Sequence, residues 1–179
     1  MASRRVLVRL AERVEEVAAG LHSFRDRLPR DAARITGVLS ELFAVSSLLR
    51  EIDQAQANPD FARSLYRIQP DIELLRPCLE ITLDEVLTMF RRSASRSYQL
   101  VWEDLQYQME RVEGLGLYDR LVCYHDFLEA QLQTMQGQQS QGLHDMRRQL
   151  RMLHDAQEVG DRRPERPTVS DSGALYPFS

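Results

Sequence analysis

Apolar side chains recur at alternating intervals of three and four residues along almost the whole chain. This spacing places them on one face of an α-helix, and no segment shows the strict alternation that marks a half-buried β-strand. Only 8 glycines and 7 prolines interrupt the pattern in 179 residues. It therefore predicts an all-α protein, an antiparallel bundle of about five to six helices joined by short connections.

The third predicted helix contains two prolines, Pro70 and Pro77, inside an unbroken apolar stripe that runs from Phe61 to Phe90. A proline in a helix interior removes one hydrogen-bond donor and clashes with the preceding turn, at a cost of about 3 kcal/mol. We therefore expect this helix to be broken or sharply kinked near Pro70 and bent at Pro77. Asn58 and Pro59 are typical of a helix cap and a first helical residue.

The other connections are predicted from residues that favour turns. Pro29 ends the first helix, and the Ser/Arg segment 91–96 separates the third helix from the fourth. Gly114 and Gly116 follow the fourth helix. The Gln/Gly/Ser segment 136–142 is either a loop or a weak polar stretch inside one long helix.

The domain boundary is expected near residue 156. Residues 1–156 carry the helical pattern and form the predicted bundle domain, whereas residues 157–179 are rich in Pro, Arg, Asp and Ser. Such a segment cannot bury enough apolar surface to order itself, so we expect a disordered C-terminal tail. Within it, Pro164-Glu165-Arg166-Pro167 has the proline spacing of polyproline ligands.

The charge composition argues against nucleic acid as a partner. The formal net charge is −4, and the 23 basic residues are all arginine. The absence of lysine throughout favours a codon bias over selection of Arg for forked pairing with carboxylate or phosphate at particular sites. Cys78 and Cys123 are too few for a disulfide framework and wrongly spaced for zinc, so buried free thiols are expected.

No familiar catalytic or metal-binding motif is present. The chain has no phosphate-binding glycine loop, no His-Glu-x-x-His and no Cys-x-x-Cys. His125 and Asp126 are adjacent, but neighbouring helical positions point in different directions. Glu80, Asp84 and Glu85 cluster on one helix, where a solvated acidic face is the simpler interpretation. We therefore predict no enzyme activity, no cofactor and no metal.

Arg5, Arg9 and Arg13 are the residues that we single out as possible lipid or partner contacts. They follow one another at intervals of four, opposite part of the apolar stripe of the first helix. The alternative is a wet bundle face on which these arginines pair with Glu12 and Glu16. Arg91, Arg92 and Arg96 form a second basic cluster beside Tyr98 and Trp102, whose spacing fits core packing.

No apolar run approaches the roughly 20 residues that span a bilayer. The most apolar stretch, Leu42 to Leu49, is interrupted by Ser46 and Ser47, and the N-terminus has no continuous apolar core typical of a signal peptide. A cytoplasmic protein is the expectation.

Three short segments carry a resemblance to a known group of domains. Trp102 to Leu105, Leu117 to Leu121 and Tyr124 to Leu128 follow a long helical pair. This arrangement over residues 1–156 resembles the helical N-terminal domains of fungal multidomain proteins, loosely the HeLo and HeLo-like domains. The resemblance implies a helical bundle that mediates self-association or partner binding and, in some members, disturbs membranes.

Two functional hypotheses follow from the sequence. The first is a non-enzymatic protein-interaction or self-association module, because the wide apolar stripes of the first two helices could leave surface for a partner or a second copy. The alternative is a membrane-associating or membrane-perturbing helical domain that uses Arg5, Arg9 and Arg13.

Overall fold

A computed structural model of the chain confirms the all-α prediction. It describes residues 2–56, 58, 61–111, 114–138 and 142–161, apart from the side chains of 2–5, 62, 63, 65, 160 and 161, and contains no strand within these ranges. The six helices are α1 (Ala2–Arg25), α2 (Ala32–Gln56), α3 (Ala62–Ser93), α4 (Tyr98–Glu110), α5 (Leu117–Met135) and α6 (Leu143–Asp161).

Helices that are adjacent in sequence run in opposite directions where their connections are short, as predicted for α1 and α2. Non-consecutive neighbours run in the same direction, however. Arg13 pairs with Asp84 and Gly20 lies against Phe90, so residue numbers in α1 and α3 rise together. The same holds for α3 and α6, because Asp71 contacts Arg147 and Thr82 contacts Gln157.

All six helices contribute to one hydrophobic core. Residues of α2 lie against both α1 and α5, and its buried positions include Ile35, Leu42 and Leu49. We expected no apolar segment long enough to span a bilayer, and this was wrong. By its length and composition, α2 as a whole is long and apolar enough to do so. The interrupting serines are tolerated because Ser46, itself buried, donates to Glu15 Oε1 at 2.6 Å.

Helix α3 runs without a break from Ala62 to Ser93, so of the two alternatives near Pro70 the break was wrong and the sharp kink stays a prediction. Both prolines belong to a face that includes exposed Tyr66 and Glu73, the residues four positions earlier. The carbonyls that lose their helical donors are therefore on the water-accessible side, where solvent can satisfy them. The expected bend at Pro77 stays a prediction. Pro59, the predicted first helical residue, lies outside the described residues.

Two other helix boundaries differ from the predicted ones. Arg91 and Arg92 belong to the last turn of α3, so the connection to α4 is shorter than predicted. Helix α6 continues beyond residue 156 to Asp161, and Gln157 is buried, which shifts the predicted start of the tail. Residues 162–179, and with them the predicted disorder, lie outside the described part.

Segment 136–142 ends α5 and does not continue it. Helix α5 stops at Met135 and α6 begins at Leu143. Gly137 has φ of 81° and Gly142 has φ of 84°, a left-handed conformation that glycine adopts without steric cost. The loop alternative of the sequence analysis is therefore the correct one.

Candidate functional site: a groove between α2 and α4

A groove of about 250 Å³ lies where α4 passes the beginning of α2. Helix α4 is held there by aromatic packing on the last turn of α1, since the ring of Phe24 lies 4.9 Å from that of Tyr98 and 6.4 Å from that of Trp102. We call this concavity the α4 groove. Its lining comprises Asp31, Arg34, Gln99, Trp102, Glu103, Gln106, Tyr107 and Glu110.

The rim of the α4 groove is predominantly acidic. Gln99 Nε2 donates to Asp31 Oδ2 at 3.3 Å and to Glu103 Oε1 at 2.8 Å, which holds these two carboxylates near each other. Arg34 donates to Glu110 Oε1 at 3.3 Å, with both side chains about half exposed. The lining therefore has three carboxylates against one guanidinium. This imbalance attracts a cationic ligand.

Two buried hydrogen-bond donors in the groove wall have no acceptor among the described residues. They are the indole Nε1–H of Trp102, a residue only 1% exposed, and the amide Nε2 of Gln106, which is 7% exposed. Leaving a buried donor unpaired costs about 1–3 kcal/mol, so an acceptor that reaches either donor would recover that amount. Tyr107, at the mouth, is 61% exposed, and the guanidinium of Arg111 lies 5.5 Å from the centre of its ring.

The position of α4 is fixed at its other end by a fully buried arginine. Arg120 of α5 donates from Nη2 to the carbonyl oxygen of Met109 at 2.9 Å and from Nε to that of Leu115 at 3.1 Å. Its Nη1 donates to Glu85 Oε2 at 2.8 Å. The bond to Met109 satisfies a carbonyl in the last turn of α4, where helical donors are missing, and the bond to Leu115 satisfies a carbonyl in the connection to α5. Arg120 thus holds in place the helix that forms one wall of the groove, and its role is structural.

A second polar cluster, buried between α3, α5 and α6, lies away from the groove. Thr82 Oγ1 and the hydroxyl of Tyr124 are 2.9 Å apart, and Gln157 Nε2 donates to Thr82 at 3.0 Å. Burial raises the pKa of the Cys78 thiol to about 12 and also raises the pKa of Tyr124. Both groups are therefore neutral near neutral pH, and the cluster fastens helices together.

Two residues of the acidic cluster, together with His125, make interhelical contacts, whereas Glu80 lies 3.9 Å from Arg76 of the same helix. Asp84 pairs with Arg13 and Glu85 with Arg120, while His125 Nδ1 lies 2.9 Å from Glu41 Oε2 of α2. His125 therefore faces a carboxylate 84 residues away, and not its neighbour Asp126. No grouping of ligands suited to a metal ion occurs among the described residues.

The choice of Arg5, Arg9 and Arg13 as a contact surface stays a prediction. Arg13 is paired with Asp84 of α3, and not with Glu12 or Glu16 as the alternative had it. Arg9 is exposed, and the side chain of Arg5 lies outside the described residues.

Glu15 of α1 contacts α2. Arg50 donates two hydrogen bonds to it and lowers the pKa of that carboxyl.

The second basic cluster loses Arg96, which lies 3.7 Å from Asp104, and gains arginines from the α1–α2 turn. The guanidinium of Arg27 lies 4.9 Å over the ring of Tyr98, which places the α1–α2 turn beside the α3–α4 connection. Arg27, Arg30, Arg91 and Arg92 are exposed and have no carboxylate partner within the described part of the chain. We call these four residues the arginine end. Part of their role is to complement the helix dipoles of α1 and α3, whose C-termini meet here.

Comparison with models of known protein families, with curated protein sequences and with solved structures finds no match to this chain. The resemblance to HeLo-like domains therefore stays a prediction. Sequence reasoning had assigned Trp102 to the core but missed the α4 groove. The available signal was the run of polar residues Gln99, Glu103, Gln106 and Glu110, which recurs at helical spacing beside that tryptophan.

Proposed function

We propose that the protein is a non-enzymatic interaction module whose docking surface is the α4 groove. The observation that carries the proposal is the pair of buried, unpartnered donors on Trp102 and Gln106 in the wall of an acidic groove. A ligand that offers hydrogen-bond acceptors and positive charge together would satisfy both features. A peptide segment with free backbone carbonyls and arginine or lysine side chains has this chemistry.

A binding role is favoured over a catalytic one by the state of the potential nucleophiles. Cys78 and Tyr124 are buried and kept neutral, and the hydroxyl of Tyr124 already donates to the carbonyl oxygen of Cys78 at 3.1 Å. Catalysis requires an accessible group with a pKa near the working pH. The α4 groove offers carboxylates, amides and aromatic rings, which suit recognition.

The chain contains a built-in reporter for this proposal, because Trp102 is its only tryptophan. Titration with a hexa-arginine peptide at low salt should produce a saturable change in tryptophan emission, and hexa-glutamate should produce none. The double variant Glu103→Gln/Glu110→Gln should weaken the response about tenfold, as expected when two partly exposed charge pairs are lost.

The matched control is Glu12→Gln/Glu16→Gln, which removes the same charge from exposed positions on α1. Its response should equal that of the wild type. The absence of a saturable change, or an equal loss in the control variant, would contradict the proposed docking surface.

A second candidate function, association with an anionic membrane surface, is favoured by the arginine end. Its four exposed guanidiniums lack carboxylate partners in the described residues, and Leu100, 59% exposed, lies on the adjoining helix. Each basic residue near such a surface contributes about 1 kcal/mol. Flotation with phosphatidylcholine–phosphatidylserine vesicles at low salt tests it. Binding should be lost in Arg91→Ser/Arg92→Ser, and equal binding to phosphatidylcholine alone would exclude this function.

A further inference from the structure

We infer that the α4 groove receives residues 162–167 of a second copy of this chain, Arg-Arg-Pro-Glu-Arg-Pro. The inference rests on the proposed function, because it names the occupant of the proposed docking surface. The sequence suggested self-association, and the inference gives it a specific form. The C-terminal segment of one molecule enters the groove of another.

The charges of the segment and of the groove are complementary. The segment carries Arg162, Arg163 and Arg166, with Glu165 as its single acid. The groove lining carries three carboxylates and one arginine. Arginine presents forked donors that match carboxylate geometry, and three of them within five residues can reach carboxylates spread along α4.

The hydrogen-bonding chemistry is complementary as well. Pro164 and Pro167 have no backbone N–H, and a segment around prolines favours the extended polyproline conformation, whose carbonyls are not used internally. Such a segment supplies acceptors, whereas the groove wall supplies the two unpartnered donors, Trp102 Nε1 and Gln106 Nε2. The exposed ring of Tyr107 provides a surface on which a proline ring can pack.

The packing of α6 favours a second molecule over the same one as the source of the segment. Helix α6 packs on α3 and α5, whereas the groove is formed by α4 and the start of α2. A segment that follows α6 would have to cross the bundle to enter the groove of its own molecule.

The segment of a second molecule does not have to cross the bundle. Two copies that exchange segments close into a dimer, and copies that pass the segment on from one molecule to the next form rings or open chains.

The test uses the full-length protein in sedimentation velocity over a wide concentration range at low salt. The wild type should associate to an increasing extent as the concentration rises. The variant Arg162→Ser/Arg163→Ser/Arg166→Ser should associate at least about tenfold more weakly, and Glu103→Gln/Glu110→Gln should show the same loss. The control Arg67→Ser/Arg148→Ser/Arg151→Ser changes the net charge equally at other exposed positions and should associate like the wild type.

A second measurement adds a synthetic peptide of residues 160–171 to the variant that lacks the three segment arginines. The peptide should shift Trp102 emission, and its Pro164→Ala/Pro167→Ala form should bind more weakly. A monomeric wild type at all concentrations would overturn the inference, as would association that the segment variant leaves intact. A difference in Trp102 emission between the wild type and the segment variant that does not depend on protein concentration would mean binding within one chain and would overturn it too.

The failures of the two proposals are distinguishable. If hexa-arginine binds at the α4 groove and the 160–171 peptide does not, the inference about the segment is wrong while the docking surface stands. If neither peptide binds, both are wrong.

Discussion

Gly20 and Gly37 both lie in helix interiors, yet replacing each with alanine is expected to change the stability in opposite directions. Glycine in a helix costs about 0.5–1 kcal/mol relative to alanine because it loses more backbone entropy. At Gly37 a methyl group would lie 3.5 Å from Cε2 of Tyr118, an ordinary contact. Gly37→Ala should therefore raise the free energy of unfolding by about 0.5–1 kcal/mol.

At Gly20 the same methyl group would overlap the ring of Phe90, because its carbon would lie 2.7 Å from Cζ of that ring. The ring cannot withdraw freely, since it packs against Phe24 at a centroid distance of 6.0 Å. Overpacking of this kind costs about 1–3 kcal/mol, which exceeds the gain in helix propensity. Gly20→Ala should lower the free energy of unfolding by about 1 kcal/mol net. In a chain of this length that lowers the Tm by about 2–4 °C.

Urea unfolding followed by circular dichroism would measure both changes. A double-mutant cycle with Phe90→Leu isolates the overlap, because the smaller side chain makes room for the methyl group. Gly20→Ala should then be neutral or stabilising in the Phe90→Leu background, which gives a coupling of about 1 kcal/mol. Equal stabilisation by both alanines in the wild-type background would refute the close approach of α1 and α3.

Three other outcomes are expected from the same geometry. Gln131 is fully buried, and neither its amide oxygen nor its amide nitrogen is paired among the described residues. Gln131→Met should therefore raise the free energy of unfolding, measured in urea, by about 1–3 kcal/mol. The control Gln133→Met should change it little. The pKa of Glu15 is lowered chiefly by hydrogen bonds from Arg50, so its stabilising effect is complete above the ordinary glutamate pKa and is lost as the pH falls through the lowered value. Glu15→Gln should flatten the fall of Tm below about pH 4.5, and an unchanged acid slope would show that the pair contributes nothing. Arg120→Met leaves the carboxylate and the carbonyls that Arg120 binds without their donor. It should lower the free energy of unfolding, measured by heat or urea, by about 3–5 kcal/mol, and Arg120→Lys should recover only part of that loss.

The helices could be predicted because their signal is local. Residues three and four apart share a face whatever surrounds them, so the stripe from Leu117 to Met135 identifies α5 without knowledge of its neighbours. The break at Pro70 was predicted wrongly because the cost of a proline depends on whether the freed carbonyl faces water. That orientation is set by how α3 packs, which the local pattern does not contain.

The candidate site could not be predicted for a related reason. Asp31 and Glu103 come together only because α4 lies across the turn between α1 and α2, and this placement depends on Phe24 and Arg120. The partner of Arg13 is 71 residues away in sequence. Periodicity predicted that Trp102 is buried, but whether its indole N–H finds an acceptor is decided by the side chains of other helices.

The packing of α6 against α3 also has a consequence for motion. Among its described residues, helix α6 fully buries two leucines, Leu150 and Leu153, and packs Leu143 and Met146 partly buried against the core. The Arg147–Asp71 ion pair and the hydrogen bonds of Gln157 supply much of the remaining attachment. Water can replace polar contacts more readily than it can solvate apolar ones, so α6 should open as a unit at a lower free energy than the rest of the bundle. Its amide protons would then exchange sooner than those of α2. Each opening would expose Tyr124 to solvent and carry the end of α6 away from α3 and α5.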